Sequence, residues 1–360
     1  MRSNLGWKLA LIAAAVPLIA FLLINLMQQP SRGVKPAALT VGIGYESVSS
    51  DEVDWPGIRE RLDRAGVDAV NVSVGRADFI GFPAEGEQEY WASGVEQGQD
   101  RVEEILDTLQ EGSDRRVGLT VDVLAPRIVE QDDDYKAVFA DGKPAEDFPS
   151  AVALHRGEVG DRVVEMCGAT ATRYSPDYIV LTELIGEAFF SEADEQLYRD
   201  MTGEDGFPRD AEGNIHIADN TLNDWQSDII VGVIERCRDA AGVQVEMDAR
   251  VNFDEPGSNR FESGHRYEDI LATGSDLSLW AYTALVDESP DAISDVATGL
   301  TERFSPEELD RITIAVGLWG DLSNREVETS LRSGEGLSMA LTPLSKMNER
   351  HWEILEELDQ

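Results

Sequence analysis

From residue 37 to residue 358 the chain repeats one pattern. A short run rich in Val, Ile and Leu is followed by a longer stretch whose apolar residues recur every three or four positions. The short runs read as buried strands and the longer stretches as amphipathic helices. Strands are predicted at 37–45, 67–75, 116–124, 177–184, 243–252, 277–283, 312–319 and 337–341. Helices are predicted at 55–65, 100–110, 158–174, 222–241, 267–272, 290–304, 325–332 and 348–358. Local signals mark their ends. Asp54 caps the first helix, with Pro56 in its first turn, and Gly66 and Gly242 stop two of the helices.

Strand–helix units in strict alternation predict a parallel sheet. Eight units with no reversal predict its closure into an α/β fold of the TIM type, a (β/α)8 barrel. The competing architecture is an open doubly wound sheet, which carries a glycine-rich phosphate turn after its first strand. Here that turn reads Gly42-Ile-Gly44-Tyr-Glu-Ser and lacks the third glycine.

The connections are lopsided. Helix-to-strand turns are short, as at Gly66-Val67, Gly242-Val243 and Gly274-Ser275. Strand-to-helix connections are long at 125–157, 185–221 and 253–266. Irregular loops of that length are uncommon unless functional. In barrel enzymes the active site is built at the carboxyl ends of the strands.

Alternation within each strand sorts the polar groups. In the fifth strand Val243, Val245 and Met247 face the helices, so Gln244, Glu246, Asp248 and Arg250 face the barrel axis. Polar groups inside a barrel must pair or serve a site. Arg76 lies just beyond Asn71 and Ser73 of the second strand, and Asp122 ends the third. The sixth supplies Trp280 and Tyr282, the seventh Trp319 and Asp321. Glu183 closes the apolar fourth strand, with Glu187 four residues on. An apolar flank raises a carboxyl pKa, which suits Glu183 to be a general acid. Glycoside hydrolysis needs a second carboxyl group, and Asp248 and Asp321 lead for it, ahead of Asp122. Asp122, Arg250, Trp280, Tyr282, Trp319, Glu187 and Arg76 are expected to bind substrate. Aromatic faces meet the C–H faces of sugars, and charged groups meet their hydroxyls. Ordinary packing would account for any one tryptophan, and a salt bridge to Arg250 or Arg76 for Glu183.

The stretch Leu154-His-Arg-Gly-Glu158, followed by a helix and then Arg173-Tyr174-Ser-Pro-Asp177-Tyr-Ile-Val-Leu-Thr-Glu183, resembles bacterial glycoside-hydrolase-like (β/α)8 barrel proteins, surface glycosidases among them. The resemblance implies an acid after strand four, which Glu183 matches. It also implies a nucleophile, usually a glutamate, after strand seven. This chain has Gly317-Leu-Trp319-Gly-Asp321 there, so that position is unmatched.

Composition removes other chemistries. A net charge of −40 repels polyanions, which argues against nucleic acid as a partner. The four histidines, His155, His216, His265 and His351, form no His-x-His or His-Glu-x-x-His motif, so no metal site is expected. No nucleotide or serine-hydrolase motif occurs, and no cofactor is expected. Cys167 and Cys237 fall on the apolar stripes of helices that would be neighbours in a barrel. A disulfide between them is open to a domain outside the cell, but spacing alone does not bring two thiols into bonding geometry, so two buried free thiols are the leading expectation.

The N-terminus adds a compartment. Arg2 and Lys8 precede an uncharged apolar run at 9–27, about long enough to cross a bilayer. Neither an Ala-x-Ala site nor a cysteine follows closely, so an uncleaved signal-anchor is expected rather than a signal peptide. Residues 1–8 would be cytoplasmic, 28–36 a linker, and 37–360 a barrel domain outside the cell membrane. Cleavage would instead secrete the domain. The leading expectation is therefore a cell-surface glycosidase acting on a carbohydrate. The alternative is a non-catalytic carbohydrate-binding or scaffold barrel of the cell envelope, and a lyase is a third reading.

Overall fold

The computed structural model describes residues 35–334 and 336–359. The expected anchor at 9–27 lies outside the described residues. Among those described, no helix is long and apolar enough to cross a membrane.

Eight parallel strands run β1 Leu39–Ile43, β2 Ala69–Arg76, β3 Arg116–Asp122, β4 Tyr178–Thr182, β5 Gln244–Arg250, β6 Asp276–Trp280, β7 Ile312–Gly317 and β8 Ser338–Thr342. Each pairs with its neighbours in sequence, and β1 pairs with both β2 and β8, so the sheet closes. The barrel helices are α1 Trp55–Arg64, α2 Arg101–Gln110, α3 Glu158–Tyr174, α4 Asn220–Ala241, α5 Tyr267–Ala272, α6 Ala292–Arg303, α7 Asn324–Arg332 and α8 Glu349–Asp359. The pattern-based boundaries agree with these to within three residues.

Physical causes are visible at each level. The Asp54 and Asp100 side chains accept the Gly57 and Glu103 N–H groups and start α1 and α2. Such caps typically contribute about 1 kcal/mol each. Val70, Val72, Leu119, Ile179, Val245, Met247 and Leu279 are buried completely in a core shared by strands and helices. In β5 the fully buried residues Val245, Met247 and Ala249 alternate with half-buried Glu246, Asp248 and Arg250, as the period-two reading predicts.

Two of the three long connections carry regular elements, which corrects the sequence reading. The segment after β3 carries an antiparallel hairpin, Lys136–Val138 with Pro144–Pro149, and a helix Ala151–His155. The segment after β4 carries a helix Glu192–Thr202 opened by a capping box of Ser191 and Asp194. Asp194 also accepts the Val152 N–H at 3.1 Å and so ties the two segments together. Rings of Phe189, Tyr198 and Phe207 pack on Trp225 of α4 at 6.2, 5.5 and 5.8 Å. Elements this short draw most of their stability from packing on the barrel rather than from intrinsic propensity.

The cysteine expectation is also corrected. Cys167 of α3 and Cys237 of α4 form a disulfide, with their Cα atoms 5.5 Å apart. The two helices are the closely packed neighbours that barrel closure makes of them. Their apolar stripes turn both thiols into the same interface, within the span a disulfide bridges.

Candidate active site

The carboxyl ends of the strands open into a cavity of about 770 Å³. Around its mouth stand Arg76 of β2, Asp122 of β3, Glu183 after β4, Asp248 and Arg250 of β5, Trp280 of β6 with Tyr282 beyond it, and Trp319 after β7. Strand register sets three carboxyl groups side by side. Asp122 pairs with Thr182, the residue before Glu183. Leu181 pairs with Met247, the residue before Asp248. Neighbouring strands lie roughly 4.8 Å apart. Asp122 and Asp248 thus flank Thr182, one residue before Glu183, and on top of burial Glu183 raises the Asp122 carboxyl as Asp248 raises its own.

Burial dominates the electrostatics. It lifts Glu183 above the usual glutamate range, opposed by Arg250 and reinforced by Asp248 and Glu187. It pushes Asp122 up to about 7, against the Leu124 N–H that Asp122 accepts at 2.8 Å. It pushes Asp248 up to about 6, while Ser278, Thr182 and Trp280 offer donors that favour the ionised form. Beneath them Glu246 is held up at about 8 by its burial inside the barrel. Glu246 accepts from Asn71 Nδ2 at 2.9 Å, and Asn71 Oδ1 accepts from the Tyr178 hydroxyl at 2.6 Å. The axis-facing polar residues of β5 are thus divided between a satisfied network below and the cavity above.

Glu183 has two further marks. Its φ is +59°, a left-handed conformation that glutamate rarely adopts and that costs about 1–3 kcal/mol. Among the described residues it makes no ion pair. Arg250 turns to Glu187 at 3.4 Å, and Arg76 turns to the buried Asp78 at 2.8 Å. The salt-bridge reading of Glu183 is thereby removed. Glu187 lies outside the cavity lining, where it holds Arg250 and Arg260 and accepts from Ser263 Oγ at 2.7 Å.

Asp321 does not join the other carboxylates, contrary to its place among the sequence candidates. It is exposed and lies outside the cavity. The left-handed turn at Gly320, φ +87°, passes so close over Ala284 that a Cβ there would sit 2.8 Å from its methyl, and the chain has left the mouth by Asp321.

The aromatic residues form a continuous surface. Trp280 and Tyr282 stack with centroids 5.2 Å apart and planes at 17°, and Trp319 follows at 5.0 Å from Tyr282. Gly317 of β7 permits this, because a Cβ there would sit 2.4 Å from the Tyr282 ring. The half-buried Trp280 and Trp319 line the cavity rather than only filling the core. Glu46, Phe79, Arg260 and Lys346 also line it and escaped the sequence reading. They lie outside the barrel strands, where neither period-two nor helical spacing singles them out.

His265, which sequence reading treated only as a histidine without a metal motif, is fully buried in the segment between β5 and α5. Burial lowers its pKa to about 4. In the unfolded chain its value is near 6.5, so between those values the unfolded state binds a proton that the folded state refuses. Its contribution to stability is intact above pH 6.5 and is lost as pH falls toward 4, by about 3 kcal/mol. Denaturant titrations across that range should therefore show the stability gap between wild type and His265→Gln narrowing as pH falls. A constant gap would contradict the buried neutral imidazole.

No family model matches the chain, and no curated protein matches it. Solved structures do resemble it. The glycoside hydrolase domain of PgaB (BpsB) from Bordetella bronchiseptica superposes with a TM-score of 0.63 at 13% identity, covering 90% of this chain and 98% of that one. The catalytic domain of a beta-amylase from Paenibacillus polymyxa gives 0.53 at 10% identity, covering 89% and 95%. A cold-adapted beta-galactosidase from Rahnella sp. R3 gives 0.61 at 12% identity, covering 92% of this chain and 56% of that one. At such identities the likeness speaks of fold alone, a (β/α)8 barrel that this chain shares with those proteins.

Proposed function

We propose that the protein is a glycoside hydrolase acting on a poly- or oligosaccharide, with Glu183 as general acid and Asp248 as the second carboxylate. The observation that carries this is the row of half-buried carboxyl groups at the ends of three adjacent strands, in one cavity with an aromatic face. A sugar ring laid on Trp280, Tyr282 and Trp319 has its scissile bond toward β3–β5. As the glycosidic C–O bond breaks, its electron pair passes to the leaving oxygen, which Glu183 protonates. Asp248, faced by hydroxyl and indole donors, carries the opposing negative charge, and serves either by deprotonating water or by direct attack. Asp321 has no part in this. In a second assignment Asp122 is the candidate for the transferable proton, because it lines the same cavity and burial raises its carboxyl to about 7.

We also propose that residues 9–27 anchor the protein with the barrel outside the membrane. The disulfide fits that reading, because such bonds persist in oxidising compartments.

The test is a reducing-end assay of the full-length protein against envelope and plant polysaccharides, with Glu183→Gln and Asp122→Asn alongside. Undiminished activity in Glu183→Gln overturns its role as acid. Loss in Asp122→Asn alone selects the second assignment. Binding without hydrolysis by the wild type would instead select a carbohydrate-binding barrel. Trp280→Ala is expected to raise KM about tenfold, equivalent to about 1.4 kcal/mol, with little change in kcat. An unmoved KM would reduce Trp280 to packing.

A further inference from the structure

We propose that His265 is the positioning residue for the acid, locking the backbone after Glu183 to the backbone of Arg250. This rests on the glycosidase reading and adds to it a residue outside the cavity lining. His265 Nδ1 accepts the Arg250 N–H at 3.0 Å, and Nε2 meets the Leu184 carbonyl at 2.9 Å. A backbone N–H only donates and a carbonyl only accepts. The two bonds together require the neutral ring with its proton on Nε2. Protonation of Nδ1 would set two donors face to face and break the clamp on the Arg250 side.

What the clamp holds is a conformation that does not hold itself. Leu184 directly follows Glu183, whose φ of +59° is unfavourable for a glutamate. Such residues persist only where their surroundings over-determine them. The His265 segment supplies those surroundings on both sides. The Ser263 carbonyl accepts the Gly186 N–H at 2.7 Å, and Ser263 Oγ donates to Glu187 at 2.7 Å. The hydroxyl of Tyr267, two residues past His265, donates to the Arg250 carbonyl at 2.7 Å. From α4, Gln226 Nε2 donates to the Gly186 carbonyl at 2.8 Å. The β4 and β5 ends are thus fastened through one short stretch, with His265 bonded to both. The charged groups acting on the imidazole are Glu187 after β4, Arg250 of β5 and Arg260 of its own segment. Two guanidiniums against one carboxylate disfavour a third cation there.

The experiment compares full-length wild type, His265→Leu and His265→Gln on a polysaccharide that the wild type hydrolyses and Glu183→Gln does not. That pairing establishes the acid first, so a failed clamp is not mistaken for a failed glycosidase. Leucine removes both bonds at similar bulk. Glutamine offers one donor and one acceptor on a single amide. His265→Leu should lower kcat by about 100-fold with KM unmoved and shift the basic limb of the kcat profile, while His265→Gln recovers most of the loss. Wild-type kcat and pH profile in His265→Leu, or a loss confined to KM, would overturn the proposal. Should His265→Leu not fold, nitrogen NMR of the wild-type ring decides. A ring that stays neutral with its proton on Nε2 between about pH 5 and 8 supports the clamp, and one that titrates in that range overturns it.

Discussion

Asp248→Asn is expected to lower kcat by about 10²–10⁴-fold, the range over which a positioned acid or base contributes to turnover. Asparagine keeps the size and the hydrogen-bonding reach of the side chain toward Ser278, Thr182 and Trp280. It removes the charge and turns one acceptor oxygen into an N–H donor. The fold should survive, and KM should move little. Asp321→Asn serves as the matched control, because Asp321 is exposed and away from the cavity, and it should hydrolyse as the wild type does. The pH profile gives a second reading of the same prediction. Asp248 must be ionised to work, so activity should fall as pH drops through about 6. The proton donor must stay protonated, so activity should also fall as pH rises through the donor's own value, about 7 if that donor is Asp122. Because the carboxyl groups interact, the two limbs report the cluster rather than single residues. Asp248→Asn should abolish the acid limb. Equal loss in Asp248→Asn and Asp321→Asn, or neither, would refute the assignment.

Breaking the Cys167–Cys237 bond is expected to cost about 4 kcal/mol of stability. The bridge closes a loop of 70 residues, and the chain-entropy account of a loop that size gives this magnitude. Its enthalpic rival attributes the effect to solvation of the unfolded state, but the sign is the same. Paired Cys→Ala substitutions avoid burying new hydroxyls in the α3–α4 interface, where both positions are fully buried. The measurement is the denaturant midpoint of wild type with and without reductant, beside the double variant. The wild type should lose stability on reduction and the double variant should not respond to it. A wild type indifferent to reductant would show that α3 and α4 are held by packing alone.

How much of this was legible in the chain differs from element to element. Barrel strands and helices announced themselves because each buries one face, and burial writes its period into the sequence. Asp54 marked a helix start because a free N–H group needs an acceptor wherever the helix sits. In β5 the alternation of Val245, Met247 and Ala249 with Glu246, Asp248 and Arg250 showed which groups face the axis. Asp122, Glu183 and Asp248 could be chosen as strand-end carboxylates for the same reason. The helix Glu192–Thr202 was passed over although its signals are local: Ser191 and Asp194 form a capping box, and Ala193, Leu197 and Tyr198 recur at helical spacing.

Other features depend on where distant segments meet. Asp321 and Asp248 look equally suitable along the chain, and only the turn at Gly320 separates them. The cysteines looked like two buried thiols, and became a disulfide because closure of the barrel sets α3 against α4. His265 carries no motif at all. Its place follows from two backbone groups, at Leu184 and Arg250, that belong to different strand ends. By itself the sequence determined the alternation, and with it the barrel and the rim on which carboxylates stand, since these follow from local period and capping. The tertiary structure alone decided which carboxylates share a cavity, which cysteines bond and what holds Glu183 in place. Those depend on contacts between residues far apart in the chain, which no local pattern encodes.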